Sequence, residues 1–250
     1  MQTKKFDCEF IVVPYKNNNI SKDAAAIIKG NYNAVIVGAA SSRDISYLES
    51  LTLSVPLLFI NRSSSKYSTV GVDNDGLSQM AAELFKKKGY KEICVISSAQ
   101  KYLATARRTD IFLKACSSLG ISVPDRNILQ IENTQEGGIY AAKIFAENFL
   151  GKVKAVFCVS DTIAFGMVYQ FNRLGVKIPG DLEFLTIAMT EPYNTSYYTP
   201  SISSISMPTD KIAALAVDIT IDSLSKHSPE PHHELVDPVI NLCESFSLLE

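Results

Sequence analysis

Short apolar runs alternate with segments of helical period along most of the chain, and the clearest unit lies between Lys154 and Ala188. A continuous apolar run, Ala155 to Val159, meets the polar pair Ser160-Asp161. It passes into a segment whose apolar members, Ile163, Ala164, Met167, Val168, Phe171 and Leu174, recur at helical spacing. Gly175 stands where a helix ends on a left-handed residue, and Pro179 forbids its continuation. Leu182 to Ile187 is a second apolar run able to pair parallel to the first. The pattern predicts strand, helix, strand, with Ser160-Asp161 at the carboxyl end of a strand, where open α/β sheets hold their ligands.

The same alternation extends in both directions. Phe10 to Val13 reads as the first strand, ended by Pro14 and the Asn17-Asn18-Asn19 loop. A helix follows, with Ser21 as N-cap, Asp23 in the first turn, and Ala25, Ile27 and Ile28 on an apolar side before Gly30. Strand Ala34 to Val37, a helix around Ile45 to Leu53 and strand Pro56 to Ile60 come next. Beyond the Ser63-Ser64-Ser65 loop the pattern predicts strands at Thr69 to Val72, Glu92 to Ile96 and Ile128 to Ile131. Helices from Leu77 to Lys88, stopped by Gly89, from Thr105 to Leu119 and from Gly138 to Leu150 alternate with them. Helix Lys211 to Leu224 and strand Val236 to Leu242 close the series. Such alternation implies parallel sheets covered on both faces.

Composition narrows the picture. With 250 residues, 46% of them hydrophobic, the chain can bury one large core or two of about 120 residues, and two lobes fit better. A net charge of -2 and no basic run beyond Lys86-Lys87-Lys88 argue against a surface that binds nucleic-acid phosphates. Five cysteines (Cys8, Cys94, Cys116, Cys158, Cys243) sit mostly in apolar runs without CxxC spacing, which reads as reduced core residues. The start, MQTKKFDCEF, has no apolar signal core, and no run reaches the length of a membrane span, so a soluble cytoplasmic protein is expected.

Five stretches, in order, carry a family resemblance. They are Val70-Gly-Val-Asp73-Asn74-Asp-Gly76; Arg108-x-x-x-Phe112-x-x-Ala115; AVFCVSDTIAFG with its following Leu-Gly and Ile-Pro-x-Asp-Leu; Tyr198-Thr-Pro200-Ser-Ile-Ser-Ser-Ile205; and Leu242-Cys-Glu244-Ser245. Together the chain resembles the effector-binding domain of the lactose-repressor (LacI/GalR) family of bacterial transcription regulators. The resemblance implies the periplasmic binding protein type I fold: α/β, two Rossmann-like lobes with parallel sheets joined by a three-segment hinge. Residues 1–75 and 207–228 would form the first lobe, and 76–206 and 229–250 the second. The family's helix-turn-helix domain is not present in this chain, nor are the strand and helix that ordinarily precede the segment matching Phe10 to Val13. Either the chain is shortened, or its first lobe closes up without the usual central strand.

The resemblance also nominates ligand contacts. Arg108 matches the family's effector-binding arginine, whose planar five-donor fork bridges adjacent hydroxyls or a carboxylate. Ser160-Asp161 stands for the family's Asn-Asp, with the shorter serine lacking the amide's second donor. Asn61, in Phe-Ile-Asn-Arg, matches a position often occupied by a ligand-contacting aspartate, and Asp73 belongs to the Val-Asp-Asn motif. Local readings stand beside these: Asp161 and Asp73 suit helix caps or Asx turns, and Asn61 a strand-end loop. The largest departure is Ala188, where the family's closing aspartate accepts hydrogen bonds from sugar hydroxyls. Alanine accepts nothing, which moves weight from a standard hexose to a ligand whose polar edge meets Thr190, Glu191 or Tyr193. Ile111 replaces a family glycine and adds bulk near Arg108; the other reading is a regulator without effector response.

Tyr15, Tyr67, Tyr102, Tyr193, Tyr197 and Tyr198 fall in loops and suit stacking on a flat ligand face. The three histidines, His227, His232 and His233, lie in HSPEPHH, which reads as an exposed connector rather than a metal site. No GxGxxG, GxxxxGK[ST] or GxSxG motif occurs, so no catalytic residue, metal or cofactor is expected. The expected function is that of the effector-binding and dimerisation domain of a LacI-family regulator. A sugar or related polar metabolite in the inter-lobe cleft would modulate DNA binding by an N-terminal domain, in a homodimer with no membrane contact. An exported solute-binding protein for uptake or chemotaxis is the alternative on the same fold. A small α/β enzyme, which would need a buried acid/base pair, is the third reading.

Overall fold

Runs rich in Val, Ile, Leu and Phe assemble two separate sheets in the computed structural model, which describes residues 8–22, 32–99, 103–189, 193–225 and 230–248. In chain order the strands are β1 (Val35–Val37), β2 (Leu57–Ile60), β3 (Ser68–Val72), β4 (Cys94–Ser98), β5 (Ile128–Ile131), β6 (Ala155–Cys158), β7 (Glu183–Ala188), β8 (Ser203–Ser206), β9 (His233–Val236) and β10 (Val239–Asn241). Two compact units result. One comprises Met1–Gly71 with Ala214–Glu234, the other Val72–Ala213 with Leu235–Glu250, and the chain passes from one to the other three times.

The first unit holds the sheet β1-β2-β3-β9, with β1, β2 and β3 mutually parallel. Its core gathers Val37, Leu57 and Phe59 from the strands with Leu48 of helix Ser42–Ser50 and Ile20. Ser41 starts that helix through a reciprocal capping box with Asp44. The helix ends at Ser50, short of the expected Leu53. Phe10 to Val13, expected as the first strand, forms none. The four side chains are exposed, Val12 to 90%, and among the described residues the run does not pair with β1, which ends the sheet. An apolar run becomes a strand only where its N–H and C=O groups find a partner. Helical backbone begins at Ile20 rather than after Ser21, since the carboxylate of Asp44, not the serine hydroxyl, receives the Ile20 N–H. Asp23, Ala25, Ile27, Ile28 and Gly30 lie outside the described residues.

In the second unit the order is β10-β8-β7-β6-β4-β5, parallel throughout except for β10, which runs antiparallel to β8. Every residue of β6 and β7 is buried, as expected of strands covered on both faces. Phe145, Phe171, Phe184 and Met167 pack there with Cys94 and Cys158. Helix Asp161–Leu174 ends on Gly175, whose φ of 72° is the left-handed stop foreseen from its position.

Three further boundaries differ for physical reasons. Helices begin earlier than their apolar periodicity, at Asn74 and Gln135, because Asp73 and Thr134 accept hydrogen bonds from their first-turn N–H groups. The expected strand Val236 to Leu242 is two strands broken at Asp237-Pro238, β9 joining the first sheet and β10 the second. His233 opens β9, its ring 3.0 Å from the Thr69 hydroxyl, while the exposed His232 lies in the connector just before that strand. His227 is outside the described residues.

Burial pushes the thiols of Cys94, Cys116 and Cys158 up to about 12, while Cys8 is exposed. Thiolate, not thiol, is the nucleophile. Alkylation of the native protein near pH 8, followed by peptide mass mapping, should modify Cys8 and spare those three until denaturant is added. Fast native labelling of Cys158 would contradict its place in the core.

Candidate ligand-binding site

Parallel pairing brings the carboxyl ends of β4, β6, β7 and β8 to one edge of the second sheet, with Ile96 opposite Cys158, Cys158 opposite Thr186 and Ala188 opposite Ser206. Met189 follows β7 directly and Met207 follows β8, the Met207 N–H donating to the Ala188 carbonyl at 3.1 Å. Just past β6, Ser160 is the N-cap of helix Asp161–Leu174, yet its side chain makes no capping bond. The Ser160 hydroxyl instead donates to Asn133 Oδ1 at 2.7 Å. Asp161, 6% exposed, accepts the Thr162 N–H at 2.8 Å through Oδ1 and the Met189 N–H at 2.8 Å through Oδ2. It ties the chain leaving β7 to the start of the helix after β6.

Arg108 comes to this edge from helix Leu103–Ser118 and is 4% exposed. Its Nε donates to Asn74 Oδ1 at 2.8 Å, Nη2 lies 3.2 Å from the Met207 sulfur and Nη1 4.0 Å from that of Met189. Burial holds the guanidinium down at about 10, with the negative charge of Asp161 pulling the other way, so it stays charged at neutral pH. Arg107 behaves differently: exposed, it forms a two-pronged pair with Asp75, Nε to Oδ1 and Nη2 to Oδ2, both at 2.7 Å. The Arg107 hydrogen bond holds the Asp75 carboxyl below the usual carboxylate range. The two arginines thus separate by role, Arg107 fastening one helix start to another and Arg108 turned inward.

Of the nominated residues, Arg108, Ser160 and Asp161 meet at this edge. Asp73 adjoins it through Asn74, but its Oδ1 is engaged by the N–H groups of Asp75 and Gly76 at 3.1 and 3.0 Å. Asn61 belongs to the first unit, at the end of β2, with φ of 53°, a left-handed value that asparagine tolerates better than most residues. Thr190 and Glu191 lie outside the described residues. Tyr193 opens the short helix Tyr193–Ser196, and its side chain is likewise outside them. Ala188 is fully buried at the end of β7 and Ile111 partly buried. Tyr198 stacks on Phe165, ring centres 4.6 Å apart and planes 5° from parallel, so that loop tyrosine has a protein partner. Tyr67 and Tyr15 also bond to main-chain carbonyls, whereas Tyr197 is 80% exposed; Tyr102 is outside the described residues.

Sequence reasoning missed Asn74, Asn133, Met189 and Met207. Asn74 was within reach, since it stands in the Val-Asp-Asn motif. The others are ordinary residues whose partners lie far along the chain. Among the described residues no group of three or more His, Cys, Asp or Glu is placed to hold a metal ion, and no helix is long and apolar enough to cross a membrane.

A doubly covered parallel sheet with a buried cation and a carboxylate at the carboxyl ends of its strands is the arrangement of a small-molecule-binding α/β domain. Comparison with known proteins agrees. Residues 82–245 match the family described as periplasmic binding protein-like domain. The chain is similar to the HTH-type transcriptional repressor PurR of Escherichia coli O1:K1 / APEC, 26% identical over 189 residues, covering 74% of this chain and 54% of PurR. Among solved structures it resembles a LacI family transcription regulator from Clostridium acetobutylicum, at 29% identity and a TM-score of 0.86, covering 93% of this chain and 86% of that one. The fold also matches the transcriptional regulator CelR in a cellobiose complex, at 17% identity and a TM-score of 0.76, over 90% of this chain and 69% of that one. The chain belongs to the periplasmic binding protein-like domain family and, within it, to the effector-binding domains of LacI-family transcription regulators. It spans about half the length of the PurR repressor.

Proposed function

We propose that this domain senses a small polar metabolite through the Arg108 cluster of its second unit, and that binding modulates the DNA affinity of a regulator carrying a separate N-terminal DNA-binding domain. The observation that carries the reading is Arg108 itself. A buried guanidinium held by a neutral amide and two thioethers has donors to spare, placed where the strand ends of this fold receive ligands. Asn74 orients it through the bond to Nε, and the charge of Asp161 acts on it from farther off. Asp161 also links the site to the backbone after β7, so a ligand contacting either residue acts on the chain segments that leave the sheet. A ligand shifts a regulator only by its differential affinity for two states, and a homodimer working in the cytoplasm is the setting in which such a shift reaches paired DNA-binding domains.

A thermal-shift screen of sugars, sugar phosphates, nucleosides and purine bases tests this. Specific binding stabilises the native state by mass action. One class of compound should raise the wild-type midpoint and leave Arg108→Ala unmoved. An equal rise in both proteins would place binding elsewhere and defeat the proposal. The same fold serves exported solute receptors, but the repressor relatives favour the regulatory reading.

A further inference from the structure

We infer that the ligand presents an anionic group, a carboxylate or a phosphate, to the guanidinium of Arg108; this rests on reading the Arg108 cluster as the effector site. Among the described residues the fork has one strong acceptor, Asn74 Oδ1 at 2.8 Å, and that acceptor is neutral. Among those residues its two terminal nitrogens meet sulfur, of Met207 at 3.2 Å and of Met189 at 4.0 Å. A thioether is a weak acceptor, so a group with five N–H donors is left under-used in a place that is 4% exposed. A buried charge without a counter-ion is costly, and proteins ordinarily pair it.

Among the described residues the carboxylate that acts on Arg108 electrostatically is Asp161, and the two form no ion pair. Each Asp161 oxygen accepts a main-chain N–H, of Thr162 and of Met189, instead of a guanidinium donor. Other acids near the helix starts are also committed, Asp75 to Arg107 and Asp73 to the helix that it caps. Ala188, at the end of β7, offers no side-chain acceptor for a sugar hydroxyl. What the cluster lacks is therefore an acceptor carrying negative charge, and a carboxylate or phosphate matches the guanidinium fork with two parallel hydrogen bonds. The Met189 and Met207 thioethers would then border the apolar remainder of the ligand.

Thermal denaturation with and without probes tests the inference. Wild type and Arg108→Met are melted alone, with citrate, galacturonate, inorganic phosphate or glucose 6-phosphate, and with neutral glucose, ribose or adenine. Replacing an unpaired buried charge by an apolar side chain of similar length relieves its desolvation, so ligand-free Arg108→Met should melt at or above wild type, by roughly 2–4 °C. At least one anion should raise the wild-type midpoint, less so at high salt, and should not move the variant. The carboxylate and phosphate members of the set separate the two chemistries. A ligand-free Arg108→Met that melts well below wild type would show the guanidinium already satisfied, and would overturn the inference. So would a wild type that no anion in the set stabilises. Neutral compounds alone raising the wild type and not the variant would remove the anion and leave the effector reading standing. An equal rise in both proteins would remove both.

Discussion

Gly166→Ala is expected to lower stability by about 2–3 kcal/mol, although alanine is the better helix former by about 1 kcal/mol. Helices Gln135–Asn148 and Asp161–Leu174 pack so closely at this point that a Cβ on Gly166 would lie 1.9 Å from the Gln135 carbonyl oxygen, 2.8 Å from its carbon and 3.0 Å from the Ile139 nitrogen. Facing it, a Cβ on Gly138 would lie 2.1 Å from the Ile163 oxygen. These are backbone atoms inside helices, and no rotamer change relieves them. The helices must move apart, which loosens the contacts of Phe145 and Phe171, both fully buried. At about 2–4 °C per kcal/mol for a domain of this size, the midpoint should fall by several degrees in a thermal melt. Gly38→Ala is the control: its new methyl group meets nothing within 4 Å, and the change should be small. Because the second helix starts at Asp161, Gly166→Ala should also weaken ligand responses that depend on Arg108. A Gly166→Ala protein as stable as wild type would mean that the two helices do not approach as described.

How far such contacts can be read beforehand depends on the kind of contact. The strands β6 and β7 and the helix between them were legible because a fully buried strand and a half-buried helix write different periods into the sequence, and Gly175 and Pro179 mark the stop. Phe10 to Val13 was misread since an apolar run looks the same whether or not a neighbouring strand is there to receive it. The helix starts at Asn74 and Gln135 were placed too late, because polar first-turn residues carry no apolar period and only Asp73 and Thr134 announce them. Asp73 shows the limit most plainly: an aspartate at a strand end serves equally as ligand contact or cap, and the difference is its distance to the Gly76 N–H.

At the site itself, Arg108 was reachable only through the family motif, which separates it from Arg107; chemistry does not. Spatial neighbours make the distinction, Asp75 for the one and Asn74 with two methionines for the other. Met189 and Met207 stand 81 and 99 residues away from Arg108 in sequence, and nothing local in their own stretches signals the encounter.

Asp44→Ala is expected to cost about 3 kcal/mol, and its loss should act on the first unit. This carboxylate is 1% exposed and receives four hydrogen bonds: the Ser41 hydroxyl at 2.6 Å, the Ser41 N–H at 3.1 Å, the Asn18 N–H at 2.9 Å and the Ile20 N–H at 3.1 Å. One side chain thus caps its own helix and anchors the start of the helical turn at Ile20, whose side chain is part of the core. Removing it leaves three main-chain donors without a partner. Burial alone would push the carboxyl upward, but the hydrogen bonds from Ser41, Asn18 and Ile20 outweigh it and hold the group below the usual carboxylate range. A folded-state value below the unfolded one means that the stabilisation is fully present above about pH 4 and is lost as the pH falls through the folded value. Asp44→Asn keeps the shape but turns an amide N–H₂ toward main-chain donors, so it too should be destabilised at pH 7. Its stability should then fall less steeply than that of wild type below about pH 4, because the titrating group is gone. Denaturant titrations across that range read both effects. Parallel acid limbs for wild type and Asp44→Asn would show that the carboxylate does not carry this charge-dependent share of the fold.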